Sequence, residues 1–384
     1  MGYEDFTGRF EDVRTQYNVL ALVGNGFDIQ ALSGLGSPSD TRYESFYHYL
    51  KYRKFDSSNK ILERMESLRG IADNWSDIES AIGHLLTIER VSPDVIAADL
   101  KDVQREFSTF LDQVVTPEIL TRLSDHAVSN NSSMLSFTEF LGDVEDADEY
   151  YKLQLPRRIN IGDLFNFKFV NFNYTTLLDN FVYLDQVQFD PHPYKASDRN
   201  IKFHPNPHGH SSSDEYPDFR PERGSFYMAS YLVSDVIHPH GIQYTPRSLL
   251  FGIDDAPGLA QKLAKPYWAQ NKVKYGPLFP ETDLFIVFGC SLGETDRWWW
   301  RAIVDGVRAN EQADLIIYWR RGADEVALTA AEVRQRFANA AGYGGDVEVR
   351  DLLTKKVRVV LYDDSTERAW LNTNAVAPPR WVWQ

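Results

Sequence analysis

The sequence predicts an α/β fold, a parallel Rossmann-like sheet carrying a helical insertion. Three observations predict it. Short apolar runs of strand length recur along the chain, several are followed by helical patterns, and a long section between the first run and the second shows only helical spacing.

The first run, residues 18–23, is continuous, rich in Val and Leu and closed by glycine, as a strand buried on both faces should be. After it, "YESFYHYLKY", "NKILERMESLRGI", "WSDIESAIGHLLTIE" and "IAADLKDVQREFSTFLDQVV" place apolar residues at helical intervals, with Pro93 and Pro117 as first-turn residues. These form an insertion of about a hundred residues, the size of a small domain, positioned to cap a site on the sheet. Strand-like runs then resume as "FNFKFVNF" (165–172), "LLFGI" (249–253), "DLFIVFG" (283–289), "ADLIIYW" (313–319) and "KVRVVLY" (356–362). Helical patterns occupy 295–310 and 324–341. The expected organisation is therefore a nucleotide-binding core made of 1–40 and 160–384, with the helical insertion over 41–159.

Residues 187–224 are crowded with Pro, His, Ser and Asp and read as a long loop, disordered or functional. The terminal "VAPPRWVWQ" is expected to pack onto the body or onto a partner subunit. Trp298, Trp299 and Trp300 must point in different directions around a helix, so at least one is expected to meet a neighbouring domain or subunit.

Composition narrows the function. The 384 residues are 43% hydrophobic, as in an ordinary globular protein. A formal charge of −15 opposes broad binding to nucleic acid, which needs clustered Lys and Arg. It does not oppose a small anionic ligand, because a few backbone N–H groups can bind a phosphate whatever the overall charge. The single cysteine, Cys290, excludes an internal disulfide framework and a thiolate-rich zinc site. No apolar stretch is long enough to span a membrane and no signal-peptide pattern is visible, so a cytoplasmic protein without membrane association is expected.

The run at 18–23 breaks into Gly24-Asn25-Gly26. A strand entering such a turn lets backbone approach a ligand, and a following helix aims N–H groups at an anion. The usual dinucleotide fingerprint needs a third glycine, but residue 29 is Ile. Taken alone, the turn leaves a nucleotide site and a plain tight turn equally open.

Other segments widen the reading. "GNGFD", "GL" at 34–35, "TRYESF" at 41–46, "WSDIE" at 75–79, "NFNYT" at 171–175, "HPHG" at 238–241, "LLFGID" at 249–254 and "FGCSLGETD" at 288–296 resemble, in order and spacing, the AbiH family of bacterial phage abortive-infection proteins. The stretch from Gly34 to Thr41 is longer than the compact turn expected there. AbiH proteins in turn resemble the sirtuin (SIR2-like) fold. The sirtuin glycine-rich loop then corresponds to Gly24–Asp28, its functional asparagine to Asn173, its catalytic His-Gly to His240-Gly241, and its nucleotide-binding turn to Gly289-Cys290-Ser291-Leu292. Structural zinc cysteines and an acyl-lysine groove are missing, so the resemblance implies NAD chemistry without deacylation, with NAD as substrate and no metal.

On that resemblance, the backbone N–H groups of Gly24, Asn25 and Gly26 hold the pyrophosphate, Phe27, Gly289, Ser291 and Leu292 also bind the cofactor, and Asp296 serves the adenosine side. Asn173 orients a ribose hydroxyl or water, His240 accepts a proton, and Asp28 bonds a ribose hydroxyl or steadies developing positive charge. The expected partners are a small-molecule nucleotide, a phage-derived trigger and a second copy of the chain, with a low basal rate until triggered. Plainer readings stay open. Asn173 can cap a helix beginning near Thr175, Asp28 the first helix and Ser291 the helix at 295–310, His240 can be a hydrogen-bonded turn residue, and Cys290 reads as a small buried residue. In the long loop, His204, His208 and His210 are a possible metal set, and His208-Gly209 competes with His240-Gly241 for the catalytic role. A nucleotide sensor without turnover, and a nuclease effector, are the rival functions.

Overall fold

Thr15–Val23 forms the central strand, β1, and Val19 to Val23 are wholly buried. Such burial is available only to a strand covered on both faces, and the neighbours supply the cover. The computed structural model describes residues 2–11, 13–72, 74–156, 160, 162–184, 231–253, 263–322 and 328–373. Its six-stranded sheet has the order β3-β2-β1-β4-β5-β6, with β2 Asp163–Asn171, β3 Tyr231–Ile237, β4 Leu284–Phe288, β5 Asp314–Arg320 and β6 Val357–Tyr362. Every pairing is parallel. The order reverses between β1 and β4, and ligands in open α/β sheets bind beyond the carboxyl ends of the strands at such a switch point. This is a Rossmann-like topology in the general sense.

Alternate residues along the strands feed two cores, as the two-residue period requires. Val19, Ala21 and Val23, with Phe165, Phe167 and Phe169, face the core shared with the helices between β1 and β2. Leu20 and Leu22, with Phe285 and Val287, face the core built with Arg297–Ala309, Ala330–Ala340 and Val347–Lys356. On the first face, α1 (Gly26–Gly34) is followed by α2 (Tyr43–Tyr52), α3 (Lys60–Leu68), α4 (Ile78–Thr87), α5 (Pro93–Val114), α6 (Pro117–Ser129), α7 (Ser132–Thr138) and α8 (Ala147–Tyr151). Pro93 and Pro117 open α5 and α6, each behind a Ser or Thr side chain that caps the helix.

One expectation needs correction. "LLFGI" (249–253) is not a strand; its backbone makes one isolated bridge, Ile253 to Ala264. The segment instead crosses residues 263–265 at close range: a Cβ on Gly252 would stand 2.1 Å from the Leu263 carbonyl oxygen. The sheet edge is filled by β3. Trp299 and Trp300 are buried against Tyr275, Phe279, Phe172 and Phe337. Trp298 packs on Phe279, so the triplet lies between the turn of 3-10 helix at Gly276–Glu281 and Ala330–Ala340. The loop at 187–224 with its three histidines and the "VAPPRWVWQ" tail lie outside the described residues; Trp370, ahead of that tail, is part of the first core.

Candidate functional site

At the carboxyl ends of β1 and β4 two glycine turns touch. A Cβ on Gly24 would sit 2.6 Å from the Gly289 carbonyl oxygen, and one on Gly26 2.6 Å from the Gly289 Cα; Gly289 itself has φ +65°. These glycines are required by backbone meeting backbone. The Gly24 N–H donates to Phe288 O at 2.9 Å and the Gly26 N–H to Gly289 O at 2.9 Å. The expectation that both N–H groups are offered to a pyrophosphate is therefore corrected, because each already has a partner. The Asn25 side chain is also engaged: Thr41 Oγ1 donates to its Oδ1 at 2.5 Å, and its Nδ2 donates to Thr41 O at 3.3 Å. The long turn after Gly34 thus returns to lock the glycine turn.

Asp28, one turn into α1, is fully buried. It does not cap α1. Its Oδ1 accepts from Asn173 Nδ2 at 2.8 Å and its Oδ2 from Thr175 Oγ1 at 2.7 Å. Burial pushes its carboxyl up to about 7, against the pull of the Thr175 and Asn173 hydrogen bonds. Asn173 Nδ2 also donates to Gly24 O at 3.2 Å, so this side chain ties the β1 turn to α1 and caps no helix. With both amide hydrogens engaged, Oδ1 is the atom left for a ligand. The end of β2 is itself stiffened, as Asn171 Oδ1 accepts from the Asn173 N–H at 3.0 Å.

Beyond β3, His238 lies between the Asn173 carbonyl at 3.3 Å and the Asp179 carboxylate at 2.9 Å, holding the β2 turn from behind. His240 is buried and stacked on Phe172, ring centroids 5.2 Å apart. Burial and the nearby Lys265 ammonium push its imidazole down to about 3, with Asp296 opposing, so it is neutral through the physiological range. The expectation of a histidine titrating near neutrality is corrected accordingly. Gly241, at φ +91°, carries no Cβ because one would stand 2.1 Å from Ser248 O.

Lys265, Glu79 and Asp296 complete the wall. Lys265 Nζ donates to Glu79 Oε2 and to Asp296 Oδ1, each at 2.9 Å. Burial works against the Lys265 charge, but the Asp296 and Glu79 carboxylates outweigh it and hold the ammonium well above its ordinary range. Glu79 opens α4, whose N-cap is the Asp77 side chain; this is the physical content of "WSDIE".

These groups line one cleft of about 440 Å³, in the range of small-molecule sites. Of the residues expected in a site, Gly24, Asn25, Gly26, Asp28, Asn173, His240, Gly289, Ser291 and Asp296 border it. Phe27 and Leu292 do not: Phe27 is core, edge-on to Phe181, and Leu292 is buried in the opposite core at φ +54°. Ser291 makes no capping bond to the helix that follows. Cys290 borders the cleft as a half-buried thiol whose pKa burial raises, which favours the thiol over the thiolate. Tyr318, Trp319, Arg320 and Tyr362 form the far wall, at the ends of β5 and β6. His208 lies outside the described residues, so His240 is the histidine whose place in the cleft is seen.

The residues that sequence reasoning missed are Lys265, Glu79, Thr175 and His238. Glu79, Thr175 and His238 sit inside motifs quoted for other members, whereas nothing local sets Lys265 apart from Lys262. Among the described residues no group of three or more His, Cys, Asp or Glu is arranged to hold a metal ion, and no helix is long and apolar enough to cross a membrane.

Comparison with known proteins fits this geometry to a family. No curated protein matches the chain. The family model described as bacteriophage abortive infection AbiH matches residues 20–319, from the middle of β1 through β5 and hence across every wall of the cleft but Arg320 and Tyr362. By that match the chain belongs to the AbiH family, consistent with a role in antiviral defence.

Proposed function

We propose that the chain is an abortive-infection effector whose cleft binds NAD and hydrolyses the nicotinamide–ribose bond, on a SIR2-like variant of the Rossmann-like sheet. The observation that carries this reading is the Asn173 side chain fastened to both Gly24 and Asp28 at the β1/β4 switch point, in the same cleft as His240.

Cleaving that bond expels neutral nicotinamide from a cation and leaves an oxocarbenium-like ribose, so the site must orient the substrate and stabilise positive charge. The cleft is suited to this. Asp28, Asp77, Glu79 and Asp296 border it, and its buried cation, Lys265, is held by two of them. Water adds to the ribose carbon as the C–N bond breaks, and its proton passes to the Asp28 carboxylate, whose affinity for protons near pH 7 makes it the acceptor. Asn173 Oδ1 accepts from the attacking water or a ribose hydroxyl. His240, neutral and stacked, orients by hydrogen bonding rather than acting as a strong base. With the N–H groups of Gly24 and Gly26 engaged, the pyrophosphate falls to the Gly289–Ser291 turn and Arg320. A requirement for a phage-derived trigger and for self-association restrains the activity in a healthy cell.

The test is to incubate the purified chain with NAD, alone and with infected-cell extract, and to resolve nicotinamide and ADP-ribose by chromatography. Both products appear with the wild type and fall sharply with Asn173→Ala and His240→Ala. Intact NAD in every sample would end the hydrolase reading. A second reading, a nucleotide sensor without turnover, draws on one observation: the weak basicity of His240. Tight ADP-ribose binding with no nicotinamide release would favour it, and loss of cellular RNA or DNA before NAD would point instead to a nuclease.

A further inference from the structure

The carboxylate of Asp296 has two neighbours able to carry a positive charge, and it serves only one. Its Oδ1 accepts from Lys265 Nζ at 2.9 Å, while the same oxygen lies 3.7 Å from His240 Nε2, beyond hydrogen-bond reach. Lys265 and His240 are both buried, at 2% and 4% exposure, so neither can turn to solvent for a partner.

The chain goes to some length to deliver this lysine. Gly252 lets the backbone of 263–265 cross it, and the Lys265 N–H donates to Ile253 O at 2.9 Å. The side chain then reaches Glu79, 186 residues away at the start of α4, and Asp296 just beyond β4. One ammonium thus joins the helices inserted after β1 to the end of the sheet.

We propose that Lys265 is a positioning residue for His240: by gathering Asp296 and Glu79 onto its ammonium, it keeps the Asp296 carboxylate out of hydrogen-bond reach of the imidazole. The proposal rests on the nucleotide-hydrolase reading only for its consequence, that the histidine orients rather than abstracts a proton.

The surroundings support this assignment. Facing Lys265 are Glu79 from α4, Tyr174 from the turn after β2, and Asp296, with Asp77, the N-cap of α4, and Tyr43 from α2 beside Glu79. Facing His240 are Asp296, Lys265, the Phe172 ring and backbone, to which the imidazole hydrogen-bonds, and the Tyr174 ring. Cys290 feels the Asp296 charge from the β4 side. Among these groups Lys265 is the one cation, and Asp296 the carboxylate nearest His240. Without the ammonium, the partly exposed Asp296 carboxylate would have that imidazole as its neighbouring side-chain donor, and a carboxylate within about 4–6 Å raises a neighbouring base by about 1–3 pH units.

Long-range 1H–15N spectra of the full chain, with His240→Asn to assign the resonance, read the protonation of His240 directly. In the wild type and in Lys265→Arg the ring stays neutral down to pH 5. In Lys265→Met its midpoint rises by about 1–3 pH units, into the range of about 4–6. Because Lys265→Met leaves two carboxylates unpaired, Glu79→Gln/Lys265→Met is made beside it, keeping Asp296 as the single acceptor, and should show the same rise. Adding Asp296→Asn should abolish it. An unchanged midpoint in both Lys265→Met proteins, an equal rise in Lys265→Arg, or failure of both Lys265→Met proteins to fold overturns the proposal and leaves Lys265 as a structural tie. Absence of NAD cleavage by the wild type would remove the hydrolase reading while leaving this titration intact.

Discussion

Replacing Asp28 with asparagine changes one charge and almost no volume, and the structure sets the size of the effect. Asp28 is fully buried and its carboxyl is raised by burial from 3.8 to about 7, although Thr175 and Asn173 both donate to it. A raised carboxyl binds its proton more tightly folded than unfolded, so stability is highest below pH 4, falls as pH rises, and levels off above about 7. At about 1.4 kcal/mol per pH unit the displacement corresponds to about 4 kcal/mol lost across that interval. The amide introduced by Asp28→Asn can still accept from Asn173 through its oxygen and donate to the Thr175 hydroxyl, but it has no proton to lose. Urea unfolding at a series of pH values from 4 to 8 should therefore show Asp28→Asn gaining on the wild type by about 4 kcal/mol between the two ends. Parallel profiles would mean that Asp28 is ionised at little cost, and the assignment of a proton acceptor near neutrality would fall with it.

Further outcomes follow from the same contacts. Gly26→Ala, whose Cβ would press on Gly289 Cα, should lose about 1–3 kcal/mol in urea unfolding and fail to bind ADP-ribose, whereas Gly276→Ala, with open space around it, should match the wild type. Thr175→Val removes a donor to Asp28; the Asp28 midpoint should rise further and stability fall by about 1–3 kcal/mol at pH 8, where the charged form loses its partner. If NAD cleavage is measured against pH, its acidic limb should fall as Asp28 takes up a proton, near pH 7, and His240→Asn should lower the rate without moving that limb, since His240 is already neutral there. An acidic limb that vanishes in His240→Asn would assign the titration to the histidine.

The sheet is legible in the sequence because its strands are buried on both faces, and such burial demands apolar runs that stand out against polar loops. The run at 249–253 satisfies the same pattern for a different reason: it is apolar because it lies under the cleft, with Tyr174 Oη donating to Leu250 O and Gln104 Nε2 to Leu249 O. The helix at 347–356 carries Glu, Arg, Asp and Lys on most of its surface and offers no apolar signal of that strength. In the site, position can be read and role cannot. Gly24, Asn173 and His240 lie at strand ends, where parallel topology must gather them. Yet the reason for Gly24 and Gly26 is a second glycine turn arriving from β4, which no local pattern displays. Phe27 and Leu292 sit within the motifs and point into opposite cores. Lys265 and Glu79 acquire meaning only as partners, and their pairing spans a distance in sequence that composition and spacing cannot bridge.

On the proposed function, the cleft beyond β1, β2 and β4 receives a dinucleotide. A crystal soaked with ADP-ribose tests it most directly. The terminal ribose is expected beside Asn173, Asp28 and His240, with the pyrophosphate along the Gly289–Ser291 turn. An empty cleft at saturating ADP-ribose, or a ligand seated on another surface, would contradict it.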